Sequence, residues 1–179
     1  MFQGKYVKFR PIEENDLKKL RNWRNSNHVK RTTREYRILS MFNQKTWFES
    51  LHLQNPPKDI MFGITSKKNS LIGVCGLTYI DWKNRNAEIS IYLDGKNWQG
   101  RKETSDAINL LSRYGFGELG LHKLYVEIYS FVKETIQLYE SLKFKKDGML
   151  RDVVWRNGKW WNSIIYSKIE TEFEDAKKN

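Results

Sequence analysis

Apolar residues recur along the chain with two periods, and these periods predict alternating strands and helices. Leu17, Leu20 and Trp23 share one face of a helix, whereas the alternation in Tyr6–Arg10 is typical of a strand. Helices are predicted at 16–24, 43–53, 103–118 and 133–142. Strands are predicted at 6–10, 60–64, 71–80, 87–93, 123–128, 149–155 and 162–169.

Short polar segments mark the ends of several elements. Asn15 or Asp16 is a candidate cap of the first helix. Asn157-Gly158 is the strongest short signal for a hairpin turn in the chain. The stretch Asn25–Leu39 is polar and rich in Arg and Thr, so we expect an irregular or weakly helical arm there.

The order of these elements predicts an α/β (α+β) protein with a mixed central sheet and helices on both of its faces. The strands at 60–64 and 71–80 read as an antiparallel pair, with 87–93 as the next neighbour. Parallel pairs are expected where a strand, a helix and another strand follow one another, because such units need a crossover.

Length and composition predict one domain over residues 1–179, with 170–179 as a tail that is frayed or completes the last strand. The chain lacks an apolar run of about 18 residues that could span a bilayer. Its first residues also lack the apolar core of a signal peptide, so a cytoplasmic location is expected. The single cysteine, Cys75, lies in an apolar run and is expected to be a buried hydrophobic residue rather than a nucleophile.

The formal net charge of +11 indicates an affinity for phosphate groups of some kind. The basic residues are spread along the chain rather than concentrated in a tail, and most are expected to be solvated surface. The aromatic residues do not interleave with Lys and Arg as stacking platforms for bases would. A nucleic-acid-binding module is therefore the disfavoured alternative, and no membrane partner is expected.

Residues 85–107 combine three features that suit a pyrophosphate. An alternating strand, Glu88–Leu93, runs through a polar turn into a basic segment that contains Arg101 and Lys102 and then opens a helix. The first turn of a helix has free backbone N–H groups and the positive end of the helix dipole. Adding two cations at that point predicts an anion-binding site.

The chain resembles the GNAT superfamily of acyl-CoA N-acyltransferases, most closely the branch that includes ribosomal-protein N-terminal acetyltransferases and several amino-sugar acetyltransferases. The resemblance covers nearly all of residues 5–170 and implies a mixed sheet of six to seven strands flanked by about four helices. It rests on Arg24-Asn25, Trp47-Phe48-Glu49, Leu71-Ile72-Gly73, Asn86-Ala87-Glu88-Ile89, Ile136-Gln137-Leu138-Tyr139-Glu140 and Gly148-Met149-Leu150-Arg151.

The resemblance implies acetyl-CoA as co-substrate and assigns its contacts to three segments. These are the backbone of the fourth strand at Ile91, Tyr92 and Leu93, the pyrophosphate loop, and the start of the late helix at Val132 and Thr135. Lys102 and Thr104 stand where the family has small residues, Val132 where it has Asn, and Lys143 where it has Gly. The loop comprises Gln99, Gly100, Arg101, Lys102, Glu103, Thr104 and Ser105.

The resemblance also implies an N-acetyltransferase reaction with a primary amine, in which Tyr139 protonates the departing CoA thiolate. The alternative for Tyr139 is a core tyrosine with a satisfied hydroxyl. Glu88 is the candidate base, and its alternative is a cross-strand partner for Arg85 or another surface cation. A structural role is favoured for His122, and no group of residues has the spacing of a metal site.

The acceptor amine is expected to meet Arg24 and Glu35 of the arm and Trp161 of the last hairpin. Trp160 and Trp161 point to opposite faces of a strand, so one of them is available to a ligand or to the neighbouring subunit of a homodimer. The acceptor itself stays open between a small molecule, a peptide or protein N-terminus, and a nucleotide-activated amino sugar. A GNAT-like scaffold that binds CoA poorly is a further alternative.

Overall fold

A computed structural model of the protein describes residues 2–95 and 101–173, with only the backbone at Arg101. Among these residues, seven strands form one mixed sheet in the order β1-β2-β3-β4-β5-β7-β6, which confirms the predicted fold class. The strands are β1 Val7–Arg10, β2 Ile60–Ser66, β3 Leu71–Asp81, β4 Asn86–Leu93, β5 Lys123–Tyr129, β6 Lys145–Arg156 and β7 Lys159–Ile169. The named α-helices are α1 Leu17–Arg24, α2 Asn27–Lys30, α3 Met41–Ser50, α4 Arg101–Arg113 and α5 Lys133–Ser141; a 3-10 helix spans Glu14–Asp16 and a π-helix spans Tyr114–Glu118.

The chain forms two compact units, of which the first comprises Met1–Ile80 and Ile89–Leu111. In this unit β1 pairs antiparallel with β2, and β2 pairs antiparallel with β3. The predicted apolar face of α1 is confirmed, because Leu17, Leu20 and Trp23 are all buried in the core.

The second unit comprises Asp81–Glu88 and Ser112–Asn179. The start of β4 pairs parallel with β5, and β5 pairs antiparallel with β7. The β6–β7 hairpin turns at Asn157 and Gly158, whose φ angles are +54° and +75°. Positive φ at both central residues is what the tightest hairpin turn requires, and the predicted hairpin is confirmed.

The structure corrects two predicted helix starts. Neither Asn15 nor Asp16 caps α1 through its side chain: Asp16 accepts a hydrogen bond from the Glu13 N–H (2.9 Å) and pairs with Arg10 (2.7 Å). Helix α3 begins at Met41 rather than at residue 43, because Ser40 caps it. The Ser40 hydroxyl accepts from the Asn43 N–H, and the Asn43 side chain accepts from the Ser40 N–H.

The predicted frayed tail is wrong for residues 170–173, which are helical. Phe173 is buried with its ring centroid 5.2 Å from that of Phe116, and Glu172 pairs with Lys145 at 2.6 Å. Residues 174–179 lie outside the described part of the chain. Among the described helices, none is both long enough and apolar enough to cross a bilayer.

Helix α5 ends in a Schellman motif built around Lys143. The Phe144 N–H donates to the Tyr139 carbonyl (3.0 Å), and the Lys143 N–H donates to the Glu140 carbonyl (2.9 Å). Lys143 has φ +64°, a left-handed conformation that suits glycine. The Lys side chain therefore stands at a position where an L-residue is strained.

Replacing Lys143 by glycine is expected to stabilise the protein by about 0.5–1 kcal/mol. Removing the strain of a left-handed L-residue stabilises the folded state by about 1–2 kcal/mol. Glycine also gives the unfolded chain more conformational freedom, which offsets about 0.5–1 kcal/mol of that gain. Urea denaturation measures the change. Lys146→Gly, at an exposed position inside β6, is the control and should destabilise. If Lys143→Gly were no more stable than the wild type, the positive φ at Lys143 would not strain the folded protein.

Candidate active site

The end of strand β4 lies very close to β3. A Cβ atom at Gly73 would come within 2.6 Å of the Tyr92 carbonyl oxygen and 3.0 Å of the Leu93 Cα, so only glycine fits there. The Asp94 N–H donates to the Ile72 carbonyl at 2.8 Å and continues the contact past the end of the strand. These contacts fix the position of the last residues of β4 in the first unit.

In a strand, the N–H and C=O groups of one residue point to the same edge, and those of the next residue point to the opposite edge. Because the Asp94 N–H bonds to β3, the alternation places Tyr92 on the same edge and places Ile91 and Leu93 on the other. The described parallel ladder of β4 with β5 covers Asn86–Glu88, and Ile91 and Leu93 lie further along β4. A strand edge of this kind accepts an extended ligand by β-strand addition.

The N-terminus of α4 holds the described part of the predicted pyrophosphate loop. Lys102 is exposed, with its Nζ 6.0 Å from the centroid of the Tyr6 ring, and Glu103 and Ser105 are half-buried. Thr104 is only 2% exposed, so its hydroxyl points into the protein rather than into solvent. Gln99, Gly100 and the Arg101 side chain lie outside the described residues.

One carboxylate that the sequence analysis missed anchors α4. Asp106 accepts hydrogen bonds from the backbone N–H groups of Lys5, Tyr6 and Val7, at 3.1, 2.6 and 2.9 Å. These bonds join the first turns of α4 to the start of β1. Asp106 follows Lys102 by one helical turn, and this anchor therefore fixes the direction in which the helix N-terminus points.

The structure brings two of the three predicted acceptor residues together in the arm. The Arg24 guanidinium lies 5.6 Å from the centroid of the buried Tyr92 ring. Hydrogen bonds from Arg37 to the Glu35 carboxylate (2.9 and 2.8 Å), with the charge of nearby Arg24, lower the pKa of Glu35 to about 2. Glu35 is therefore an anion throughout the physiological pH range.

Asn25, which the sequence analysis named only as part of the Arg24-Asn25 motif, closes the arm through its side chain. Its side-chain amide donates to the Leu39 carbonyl (2.9 Å) and accepts from the Leu39 N–H (2.8 Å). This pair of bonds joins the two ends of the arm, in which the predicted helical tendency is limited to α2. The closed arm fixes where Arg24 and Glu35 lie in the first unit.

Trp161, the third predicted acceptor residue, is in the second unit. Its ring centroid is 5.0 Å from that of Phe131, its Nε1–H donates to the Arg156 carbonyl (3.1 Å), and the Lys159 ammonium lies over the ring. The neighbouring Trp160 is 56% exposed. The expected homodimer stays a prediction, for which Trp160 is an available contact.

The two predicted catalytic residues are both buried in the second unit. Tyr139, on α5, is 1% exposed, and its ring packs edge-on against Phe144 with centroids 5.0 Å apart. Glu88 is 7% exposed and lies opposite Tyr125 in the parallel ladder. The alternative surface pair of Glu88 with Arg85 is not supported, because the Arg85 guanidinium bonds the Gly120 carbonyl (2.6 Å) and the Glu170 carboxylate (3.2 Å).

The start of α5 carries the two other predicted cofactor contacts. Val132 is the N-cap residue and is 6% exposed, and its carbonyl accepts hydrogen bonds from the N–H groups of Thr135 (3.1 Å) and Ile136 (3.2 Å). Val132 has no side-chain acceptor, so the first N–H groups of α5 are not capped by it. The helix start therefore keeps donors for an anionic or polar ligand.

Three other sequence predictions concern residues outside this chemistry. The His122 Nδ1 lies 3.1 Å from the Glu170 carboxylate, which agrees with a structural role. Cys75 is fully buried, and burial raises the pKa of its thiol well above the usual value, so it is not a nucleophile. Within the described part of the chain, no group of His, Cys, Asp and Glu side chains could hold a metal ion.

Comparison with known proteins connects this geometry to a family. The family described as "Acetyltransferase (GNAT) domain" matches residues 9–165. The uncharacterized N-acetyltransferase p20 of Bacillus licheniformis is 33% identical over 110 residues, which are 62% of this chain and 61% of that protein. The spermidine N(1)-acetyltransferase of Escherichia coli K12 is 25% identical over 158 residues, which are 88% of this chain and 83% of that enzyme.

A solved structure has the same fold over almost the whole chain. It is the spermidine N-acetyltransferase of Vibrio cholerae in complex with CoA and spermine, and its TM-score is 0.86 at 22% sequence identity. The match covers 94% of this chain and 98% of that one. The mixed sheet predicted from the order of the elements and the resemblance to the GNAT superfamily are both confirmed.

Proposed function

The chain belongs to the GNAT acetyltransferase family and is an acetyl-CoA-dependent N-acetyltransferase acting on a primary amine, and from this premise we propose which of its residues perform the reaction. The observation that supports the cofactor site best is the edge of β4 at Ile91 and Leu93, which lie beyond the described ladder with β5. There Ile91 and Leu93 present backbone N–H groups away from β3. The pantetheine arm of acetyl-CoA would pair with this edge like an added strand.

The pyrophosphate is assigned to the N-terminus of α4. Helix N–H groups and the positive end of the dipole attract an anion there, and the exposed Lys102 adds a cation at the first turn. We do not propose a contact between the Thr104 side chain and the cofactor, because Thr104 is buried. Val132 and Thr135, at the start of α5, remain our candidates for further contacts with the cofactor.

The reaction needs a base, because an alkyl ammonium with a pKa of about 10.4 is almost entirely protonated at neutral pH. Glu88 accepts this proton, directly or through a water molecule. The amine nitrogen then bonds to the acetyl carbon while the bond from that carbon to sulfur breaks. Tyr139 donates its phenolic proton to the departing CoA thiolate. A backbone N–H of β4 near Ile91–Leu93 polarises the acetyl carbonyl.

The acceptor we propose is a small-molecule primary amine bound at the arm. The arm supplies the carboxylate of Glu35, which pairs with Arg37 at 2.8 Å, as the group that would receive an ammonium. The relationship to a spermidine acetyltransferase makes polyamines the first amines to test. Arg24 is the other proposed contact of the acceptor in the arm, and the expected contact at Trp161 stays a prediction.

Replacing Glu35 by glutamine is expected to raise the KM for the amine by about 10-fold, the value of one charge-assisted contact. The KM for acetyl-CoA should stay within about twofold of the wild-type value, since Glu35 has no part in the cofactor site. Steady-state kinetics with each substrate varied in turn measure both constants.

Arg37→Gln is the matched control for Glu35→Gln. It breaks the same internal ion pair but keeps the Glu35 carboxylate, so the KM for the amine should not rise. A rise of equal size in both variants would mean that the ion pair merely holds the arm in shape. That result would remove Glu35 from the acceptor site.

A further inference from the structure

We propose that Tyr166 and Lys168 of β7 are positioning residues for acetyl transfer, because they fix the last turn of α5 and thereby set where the Tyr139 hydroxyl lies. This inference rests on the acid role that we propose for Tyr139. Neither residue contacts the reacting atoms. Their effect passes through α5, and all of the groups involved belong to the second unit.

The two side chains bind neighbouring points of the same helical turn. Tyr166 and Lys168 are two residues apart on β7 and therefore lie on one face of the strand. The Tyr166 hydroxyl donates to the Glu140 carboxylate at 2.7 Å, and Glu140 is the residue after Tyr139. The Lys168 Nζ donates to the carbonyl of Leu142, the C-cap of α5, at 2.6 Å.

A second set of contacts joins Lys168 to the ring of Tyr139. The Lys168 Nζ lies 4.9 Å from the centroid of the Phe144 ring, which is 4% exposed. Phe144 in turn packs edge-on against Tyr139, with an interplanar angle of 87°. The backbone of Phe144 also donates to the Tyr139 carbonyl, so Tyr139 is held through both its ring and its main chain.

The burial of Lys168 indicates that its contribution is geometry rather than stability. The residue is 5% exposed, and lysine is rarely buried, because an ammonium loses hydration there. Burial lowers its pKa, and the charge of Glu172 opposes that shift. An apolar side chain of the same length would avoid the desolvation cost. However, an apolar side chain could not donate a hydrogen bond to the C-terminal end of α5, where the helix dipole is negative.

The test is a double-mutant cycle of Lys168→Met with Tyr139→Phe. Lys168→Met keeps the long apolar stem and removes only the ammonium. In the wild-type background it should lower kcat by about 10-fold, within the range that a misplaced reacting group costs, and leave the KM for acetyl-CoA unchanged. In the Tyr139→Phe background it should leave kcat unchanged, because the hydroxyl it positions is already absent.

Tyr166→Phe and Lys146→Met complete the design. Tyr166→Phe removes one hydroxyl and keeps the ring, so it gives the same cycle should Lys168→Met fail to fold. Lys146→Met removes a charge from an exposed lysine of the neighbouring strand and should alter neither constant.

Each other outcome of the cycle overturns a specific claim. Equal losses of kcat in both backgrounds, or no loss in the wild-type background, would refute the positioning role while leaving the role of Tyr139 intact. If Tyr139→Phe had the wild-type rate constant for the chemical step in a single turnover, that result would refute the acid role. It would refute the positioning role as well. The two failures are therefore distinguishable.

Discussion

A Tyr139→Phe variant is expected to acetylate its amine at least about 100-fold more slowly than the wild-type enzyme, the usual effect of losing one general acid. The substitution keeps the aromatic ring and therefore the edge-on contact with Phe144. It removes only the proton that we assign to the departing thiolate. The affinity for acetyl-CoA and the melting temperature should change little.

A purely structural tyrosine would give the opposite pattern. Such a residue would alter stability, by about 1 kcal/mol for each hydrogen bond that its hydroxyl made, and turnover would stay near normal. Product release can limit kcat and hide a slower chemical step, so the rate should be measured in a single turnover. An unchanged chemical step would exclude Tyr139 from acid catalysis.

Lys102→Glu is expected to weaken acetyl-CoA binding by about 10-fold or more. The change removes a cation and adds an anion at the first turn of α4, and one charge-assisted contact is worth about 1.5–3 kcal/mol. Calorimetry at two salt concentrations measures the effect. The loss should be larger at low salt, because ions screen an exposed charge.

Lys18→Glu is the control for this charge reversal. Lys18 is an exposed lysine of α1, so the variant has the same net charge as Lys102→Glu. Its affinity for acetyl-CoA should match that of the wild type. If both variants lost affinity equally, the effect would come from overall charge, and the helix N-terminus would not be the pyrophosphate site.

The features predicted best from the sequence depend on neighbouring residues. Asn157-Gly158 determines a turn by itself, because its residues accept the positive φ angles that the turn demands. The apolar face of α1 likewise follows from a local spacing. Ser40 could have been recognised as the cap of α3, since Asn43 stands three residues later in the pattern of a capping box.

Contacts between residues far apart in the sequence could not be predicted in this way. Asp106 bonds to the N–H groups of residues about 100 positions earlier, and nothing in the helix pattern around it indicates those partners. The same holds for Lys168, whose partner Leu142 follows from the packing of β7 against α5. Such contacts determine how exactly a site is oriented.

The candidate site was predicted unevenly for a related reason. Arg24 and Glu35 are eleven positions apart and meet in the arm that Asn25 closes. The alternation of β4 placed Glu88 on a face with Ser90 and Tyr92, yet burial extends to both faces of the strand. When both faces of a strand are buried, the sequence pattern does not indicate which face lines the active site.

The measurement that tests the account most directly is mass spectrometry of the products formed from acetyl-CoA and a panel of primary amines. The panel includes spermidine, spermine, a peptide with a free N-terminus and a nucleotide-activated amino sugar. We predict one N-acetylated amine for each free CoA released, with a small-molecule amine as the best acceptor and a strong loss of product in Tyr139→Phe. Folded protein that binds acetyl-CoA yet acetylates none of these amines would contradict it.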